Sequence, residues 1–350
     1  MNKISKIVIS LVTSFAFSVS AFAGELSVSG SAKATYNSVG GYANGENTIG
    51  IANELNFTAS GELDNGYTWK YQVQLDGDSA ANDDTRLEIG TDMGTIGIYV
   101  SEGGMSAELA HGVGALGVGF DYASPSTFQK GYDVDGYSNI QYHLPSDMLP
   151  FGIGAKVGFV PNMSATTMLS AKNSDSTMTS QAEGRVLTMA QLTAAPIDGL
   201  SIKASAAETS DSQGGDANKD DGVSANVGAK YTIGQVSVGY TEGGYQPAVG
   251  LTSEETIYYE NKYYGIQFDV NDALSVSYNV DESEKNTRAA VALGATAGTK
   301  TVVAMEQETL QIAYTVGGAT IGIADIEVDN ADYTAGKKET MSVISLGISF

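Results

Sequence analysis

The chain has 350 residues, 42% of them apolar, with 42 Gly, 19 Tyr, only 6 Pro, no Cys and a formal net charge of −23 at pH 7. The lack of cysteine excludes a disulfide framework, thiolate metal ligation and a cysteine nucleophile, while leaving the redox compartment open. The acidic balance argues against nucleic acid as a partner, because phosphate would be repelled.

Met1 to Ala23 reads as an export signal rather than as structure. Lys3 and Lys6 give a positive start, Ile7 to Val19 a short apolar core, and Ala21-Phe22-Ala23 the small residues that specify cleavage, so Gly24 is the expected new N-terminus. The apolar run is well short of the ~20 residues a membrane-spanning helix needs. Losing Lys3 and Lys6 leaves the mature chain still more acidic. No later segment is apolar enough for such a helix. If the mature chain meets a membrane it must do so as a barrel, since lipid tolerates no open sheet edge.

From Glu25 onward the pattern has a period of two. Leu26, Val28, Gly30, Ala32, Ala34 and Tyr36 alternate with Ser27, Ser29, Ser31, Lys33 and Thr35, one apolar and one polar face of a strand. After a Gly/Asn-rich break at 40–47, Ile51, Leu55, Phe57 and Ala59 alternate with Glu54, Asn56, Thr58 and Ser60. Asp64-Asn65-Gly66 signals a tight turn. Tyr67, Trp69, Tyr71, Val73 and Leu75 then share a face, the aromatics suiting a membrane interface.

The same grammar runs to the end. Short turns are expected at 91–94, 145–150, 196–199, 233–235, 271–273 and 317–318, and longer polar loops at 77–84, 101–136, 161–184, 208–222, 242–255, 281–305 and 327–339. This gives about 16 strands, an even number with short turns on one side and long loops on the other, as bacterial barrels have. The pattern is weakest at 185–195, 258–264 and 321–328, where parity slips in a way that either bulges or misplaced strand boundaries would explain. A helical reading fares badly, because apolar residues recur every two positions rather than every three or four. The last strand, Met341 to Phe350, sets Ile344, Leu346, Ile348 and Phe350 on one face, and small or polar Ser345, Gly347 and Ser349 on the other. It fits either a half-buried strand of a soluble sandwich or a lipid-facing strand ending in an aromatic girdle. The small, uniformly hydrophilic polar faces upstream favour an all-β transmembrane antiparallel barrel over residues 24–350.

At this point the sequence resembles the general porins of Gram-negative outer membranes. Gly61-Glu-Leu-Asp-Asn-Gly-Tyr67 with the strand ending Gln74-Leu75-Asp76 is similar to the first periplasmic hairpin of that family, and Arg86-Leu-Glu-Ile-Gly90 with Thr91-Asp-Met-Gly94-Thr95 to the second. Ser138-Asn-Ile-Gln-Tyr142 with Pro145 resembles the strand after the long third loop. Where the family often closes the strand before that loop with arginine, this chain has Ile98-Tyr-Val-Ser101, and Glu102-Gly-Gly-Met105 replaces the acidic-aromatic-glycine tip. The resemblance implies an outer-membrane barrel, usually a homotrimer, through which ions and small hydrophilic solutes diffuse. It also implies a third loop folded into the pore, here residues 101–136, with Val113, Leu116, Val118 and Phe120 able to pack on the wall. Outer-membrane lipid, lipopolysaccharide and the barrel-assembly machinery are the implied partners, with Phe350 as assembly signal.

Lys33, Lys70, Arg86, Lys156, Lys203 and Lys230 all have polar-face parity, and lumenal placement is what lipid requires, since a lipid-facing cation at mid-depth costs ~2–4 kcal/mol. Lys33, Lys70 and Arg86 fall on three of the first four strands, while Glu102, Glu108 and Asp121 lie on the loop. In the resembled family a basic wall, here Lys33, Lys70, Arg86 and Lys156, opposed to an acidic loop forms the constriction. The overall charge adds the expectation of a weak cation preference. The run 211–222 has oxygen ligands at calcium-like spacing but no closing Glu, so it reads as a solvated loop able to bridge lipopolysaccharide through divalent ions. His111 is within reach of Glu108, and His143 has inward parity, but neither has a Ser/Asp partner set, so no enzyme, metal site or cofactor is expected. Two other readings remain: a substrate-specific channel, which lumenal aromatic tracks would signal and which few inward positions here supply, and an exported soluble adhesin.

Overall fold

The computed structural model describes residues 24–41, 47–76, 84–117, 126, 128–145, 148–163, 185–211, 221–248, 256–288 and 298–350. The export signal at 1–23, Asp121 and most of the acidic run at 211–222 lie outside the described residues.

Sixteen strands form one closed sheet: β1 (Glu25–Gly41), β2 (Thr48–Glu62), β3 (Thr68–Asp76), β4 (Thr85–Thr91), β5 (Gly94–Val100), β6 (Asn139–His143), β7 (Gly154–Val160), β8 (Arg185–Ala194), β9 (Leu200–Asp211), β10 (Val223–Ile233), β11 (Val236–Gln246), β12 (Thr256–Asn271), β13 (Leu274–Arg288), β14 (Lys300–Val316), β15 (Ala319–Asp329) and β16 (Lys338–Ser349). Each strand is antiparallel to its chain neighbours, and β1 closes on β16 with Lys33 opposite Gly347 and Tyr36 opposite Ile344. Beyond the last paired strand residue, Gly30 and Phe350 exchange two backbone hydrogen bonds of 2.8 and 2.9 Å. Each short turn expected from the sequence joins two strands. The barrel is lopsided: β6 has 5 residues, whereas β14 has 17.

Parity sorts the side chains as the alternation requires. Leu26, Val28, Ile49, Ile51, Ile98, Val227, Ile266, Leu346 and Ile348 point outward into an exposed apolar band, with Ile49 84% exposed. Trp69, Tyr142, Tyr231, Phe268, Tyr314 and Phe350 mark its turn-side edge, while Tyr36, Phe159, Tyr240, Tyr264 and Tyr278 stand nearer the loops. No helix among the described residues is long and apolar enough to cross a membrane.

Two expectations are corrected. The loops expected at 208–222, 242–255, 281–305 and 327–339 are shorter, because β9, β11, β13, β14, β15 and β16 run into them. Above the apolar band both faces of a strand are polar, as at Asp281, Glu282, Ser283 and Glu284 in β13, so the alternation that identifies strands disappears although the ladder continues. The parity slips at 185–195, 258–264 and 321–328 are not bulges: β8, β12 and β15 keep an unbroken register there. The register shift in β12 falls at Asp269/Asn271 instead. What slipped was polarity, since Leu187, Met189, Tyr263, Ala324, Ile326 and Val328 are apolar or aromatic residues facing inward. A lumenal wall has no use for them unless something covers it.

Candidate functional site: the inserted loop and the wall it faces

The cover is the connection between β5 and β6. Ser101 turns the chain out of β5 with φ 53°, and Gly103 follows at φ 84°. A side chain at Gly103 would collide with Tyr99 and Gln141, so the Gly-Gly pair allows the chain to double back along the wall.

The outbound limb crosses the inner face of β8 to β15. Gln191 of β8 donates to the Met105 carbonyl at 2.7 Å, and the Ala107 N–H donates to Ser205 of β9 at 2.8 Å. The His111 N–H donates to Thr241 of β11 at 2.7 Å, and Asn279 of β13 donates to the Val113 carbonyl at 2.7 Å. The N–H groups of Gly114, Ala115 and Leu116 reach Gln267 of β12, Ser277 of β13 and Gln311 of β14. Leu116 lies against Gly322 of β15. Wall side chains thus satisfy loop backbone that would otherwise be buried without partners. The polar residues of β8, β9 and β11 to β14 that alternation marks as pore lining therefore hold the loop.

The return limb lies beside the outbound one. Asp133 ties the two, accepting from the N–H groups of Met105 at 2.7 Å, Ser106 at 2.6 Å and Val134 at 2.7 Å. Asn261 of β12 donates to the Gln129 carbonyl, and the Tyr132 N–H donates to Ser224 of β10. Beneath the limbs are two apolar clusters. One joins Met105 and Val134 to Val160, Leu187, Met189 and Ala207 of the wall; the other joins Phe128 to Tyr263, Met305, Ala324, Ile326, Val328, Ala331 and Val343. Burial of these side chains drives the docking, and the hydrogen bonds fix its path.

The uncovered wall is β1 to β4, and it carries three of the expected cations. Across it runs a lateral chain: Asn56 donates to Glu54, Gln72 donates to Asn56 at 2.7 Å, and Arg86 donates to Gln72. Lys33, Lys70, Arg86 and Lys156 all face inward, as their parity predicted. The acidic partners stand elsewhere than opposite. Glu102 pairs with Arg86 at 3.5 Å at the loop's root, and Glu108 pairs with Lys130 of the return limb at 3.4 Å. Burial pushes the Glu102 carboxyl above its ordinary range, against the pull of Arg86. His111 does not pair with Glu108, and His143 faces inward, bonded to Gln141 at 2.8 Å and stacked on Tyr99.

Inward aromatics are more numerous than the sequence suggested. Tyr132, Tyr245, Tyr259 and Tyr333 form a row with ring centroids 5.2, 5.7 and 5.3 Å apart. Their rings pack on one another, and the hydroxyls of Tyr132 and Tyr333 are bonded to Ala248, Ser283 and the Gln129 N–H. The row seams the return limb to the wall. Between the loop's Ala115 and Leu116 and the wall of β13 to β16 and β1 lies a cavity of about 360 Å³, lined by Lys33 and the hydroxyls of Ser31, Ser275, Thr315, Thr320 and Ser345.

The chain's acidic excess lies largely away from this passage. Glu208, Glu242, Glu260, Glu306, Glu308, Asp325, Glu327 and Asp329 point outward near the loop ends of β9 to β15. Tyr240 and Tyr264, on the same outer face, donate to Glu242 and Glu282. Among the described residues no group of His, Asp and Glu is arranged to hold a metal ion.

No family model matches the chain, and no curated protein does. Solved structures do. OmpT (in-vitro folded), an outer membrane protein of Vibrio cholerae, is 12% identical with a TM-score of 0.67, over 95% of this chain and 99% of that one. A trimer form of OmpT has a TM-score of 0.63 at 12% identity, over 94% and 100%. An anion-selective porin from Comamonas acidovorans is 14% identical with a TM-score of 0.64, over 93% and 100%. At these identities the likeness shows the fold: a closed sixteen-stranded antiparallel barrel of the kind found in Gram-negative outer-membrane proteins.

Proposed function

We propose that the chain forms a water-filled pore in a Gram-negative outer membrane, for passive diffusion of ions and small hydrophilic solutes, and that it has no enzymatic role. The carrying observation is the one-sided loop: residues 103–117 hug β8 to β15, while the charged wall of β1 to β4 is left facing the lumen. Membrane residence is supported by the outer band, because an apolar surface of this extent is not sustained in water. That weighs against a soluble adhesin. The self-packed tyrosine row gives no open track for a ligand, which weighs against a substrate-specific channel.

The proposal includes export with cleavage before Gly24, and a homotrimer in line with the trimer form of OmpT. It also includes assembly through Phe350, which the assembly machinery would recognise, and contact with lipid and lipopolysaccharide. The weak cation preference is retained with a different origin. With Glu102 and Glu108 neutralised by Arg86 and Lys130, the field of the acids on the outer face near the loop ends is what is left to favour cations at the entrance. Charges farther than about 8–10 Å from the ion are largely screened at physiological salt, so the preference is small. Planar-bilayer recording of the purified folded barrel tests the reading. Stepwise, ohmic conductance is expected; heat-modifiable folded protein that inserts without conducting would overturn it.

A further inference from the structure

Among the described residues of the outbound limb, His111 is the one ring, and it is sealed against the wall. It is 1% exposed, and neither ring nitrogen has a hydrogen-bond partner among the described residues. Its ring stacks on Tyr263 of β12, 2% exposed, with centroids 6.2 Å apart. Its backbone is gripped by Thr241, and its carbonyl lies where a side chain at Gly239 of β11 would be. Only glycine permits that approach. An imidazole so placed has no hydrogen-bond partner to stabilise an added proton. The charges that face it are cations: Lys130 from the return limb and Lys230 from β10. Three acids stand on the elements around it: Glu108 is engaged with Lys130, Asp269 of β12 with Gln267 and Ser275, and Asp281 of β13, across the ladder from Tyr263, has an interaction of its own. β11 presents no charge at this contact.

We infer that His111 is an acid-sensitive latch of the inserted loop, holding it on the wall only while the imidazole is neutral. Burial, aided by Lys130 and Lys230, pushes the docked imidazole down to about 4 from its ordinary 6.5. The sign follows. A group whose pKa is lower docked than free gives its full support to docking above the free value, and loses it as pH falls toward the docked value. Docking is therefore unaffected above pH 6.5 and weakens between 6.5 and about 4, by up to about tenfold in the docking equilibrium per pH unit. Asp135 works in the opposite direction, pushed up to about 6 by partial burial and by Asp133. It lies on the return limb beside Asp133, and a change at position 111 leaves it in place.

The chain has no cysteine, so one introduced by Ala107→Cys, at a fully buried loop position, reports release through its reaction with a dithiopyridine, a reagent active at acid pH. Labelling of the folded barrel in detergent is expected to accelerate from pH 7 to pH 4.5 by about two- to threefold, because Asp135 offsets most of the His111 effect, relative to the same reagent on an unfolded control. Adding His111→Phe, which keeps the stacking and removes the titration, should abolish the acceleration and leave only the slowing in acid that Asp135 gives. Where the phenylalanine variant does not fold, His111→Gln serves, and it too should not accelerate in acid. An unchanged labelling rate in the parent, or the same acid response in a folded variant, overturns the latch. The assay needs no conductance, so its outcome is separate from that of the pore reading on which the latch's role in permeation rests.

Discussion

Arg86 and Glu102 stand 3.5 Å apart at the root of the inserted loop, on the same side of the pore. A facing basic wall and acidic loop would set a field across the lumen; a contact pair cancels most of its own. Replacing Glu102 and Glu108 by glutamine should release Arg86 and Lys130 from compensation. The reversal potential in a KCl gradient should move toward anions, with a permeability-ratio change of about twofold at 0.1 M salt that fades by 1 M, where the screening length is about 3 Å. An unchanged ratio at low salt would remove both residues from the permeation path.

Asp133 joins the two limbs through three backbone N–H groups. Hydrogen bonds to a charged group contribute about 1.5–3 kcal/mol each, so Asp133→Ala should free the loop without opening the sheet. Enhanced proteolysis between residues 103 and 135, with unchanged heat-modifiability of the barrel, is the expected pair of results.

Leu187 is fully buried beneath Met105 and Val134. Leu187→Ala should cost about 2–5 kcal/mol, as buried leucine truncations do, and the loss should fall on loop docking. Single-channel records should show larger current fluctuations at an unaltered mean insertion rate. Quiet channels identical to the parent would mean that this cluster does not hold the loop.

Phe350 exchanges both closing backbone bonds with Gly30 while its ring remains 66% exposed on the outer face. Phe350→Ser keeps the bonds and loses the apolar anchor; deletion loses both. Folded, heat-modifiable barrel should fall in both variants relative to total synthesis, and further in the deletion. Equal folded yields in parent and variants would show that the terminal ring is dispensable.

Much of the barrel was legible because one rule governs it: where lipid-facing and lumen-facing residues alternate, as at Leu26 to Tyr36 or Ile344 to Phe350, strand and orientation are read together. The rule stops at two places. Above the apolar band Glu282 and Ser283 are both polar, so β13 looks like loop although its ladder continues. Under the inserted loop Leu187, Met189 and Ile326 are apolar on the inner face, so β8 and β15 look out of phase. The same inversion is itself a signal, for it marks wall that something must cover. The acidic half of the site was harder, since nothing in the spacing of Glu102 and Arg86, or of Glu108 and Lys130, shows which carboxylate meets which cation once a loop has doubled back.

The polar side chains of the wall hold the inserted loop by its main chain: Gln191, Asn279, Ser205, Thr241, Ser277 and Gln311 all bond N–H or C=O groups of residues 105–116. Such a cradle holds a path and is indifferent to the side chains that point away from the wall. Position and chemistry are thereby decoupled. In the proposed pore, lumen-facing residues of the loop could be exchanged to retune what passes, while the receptor built into the barrel keeps the loop in register.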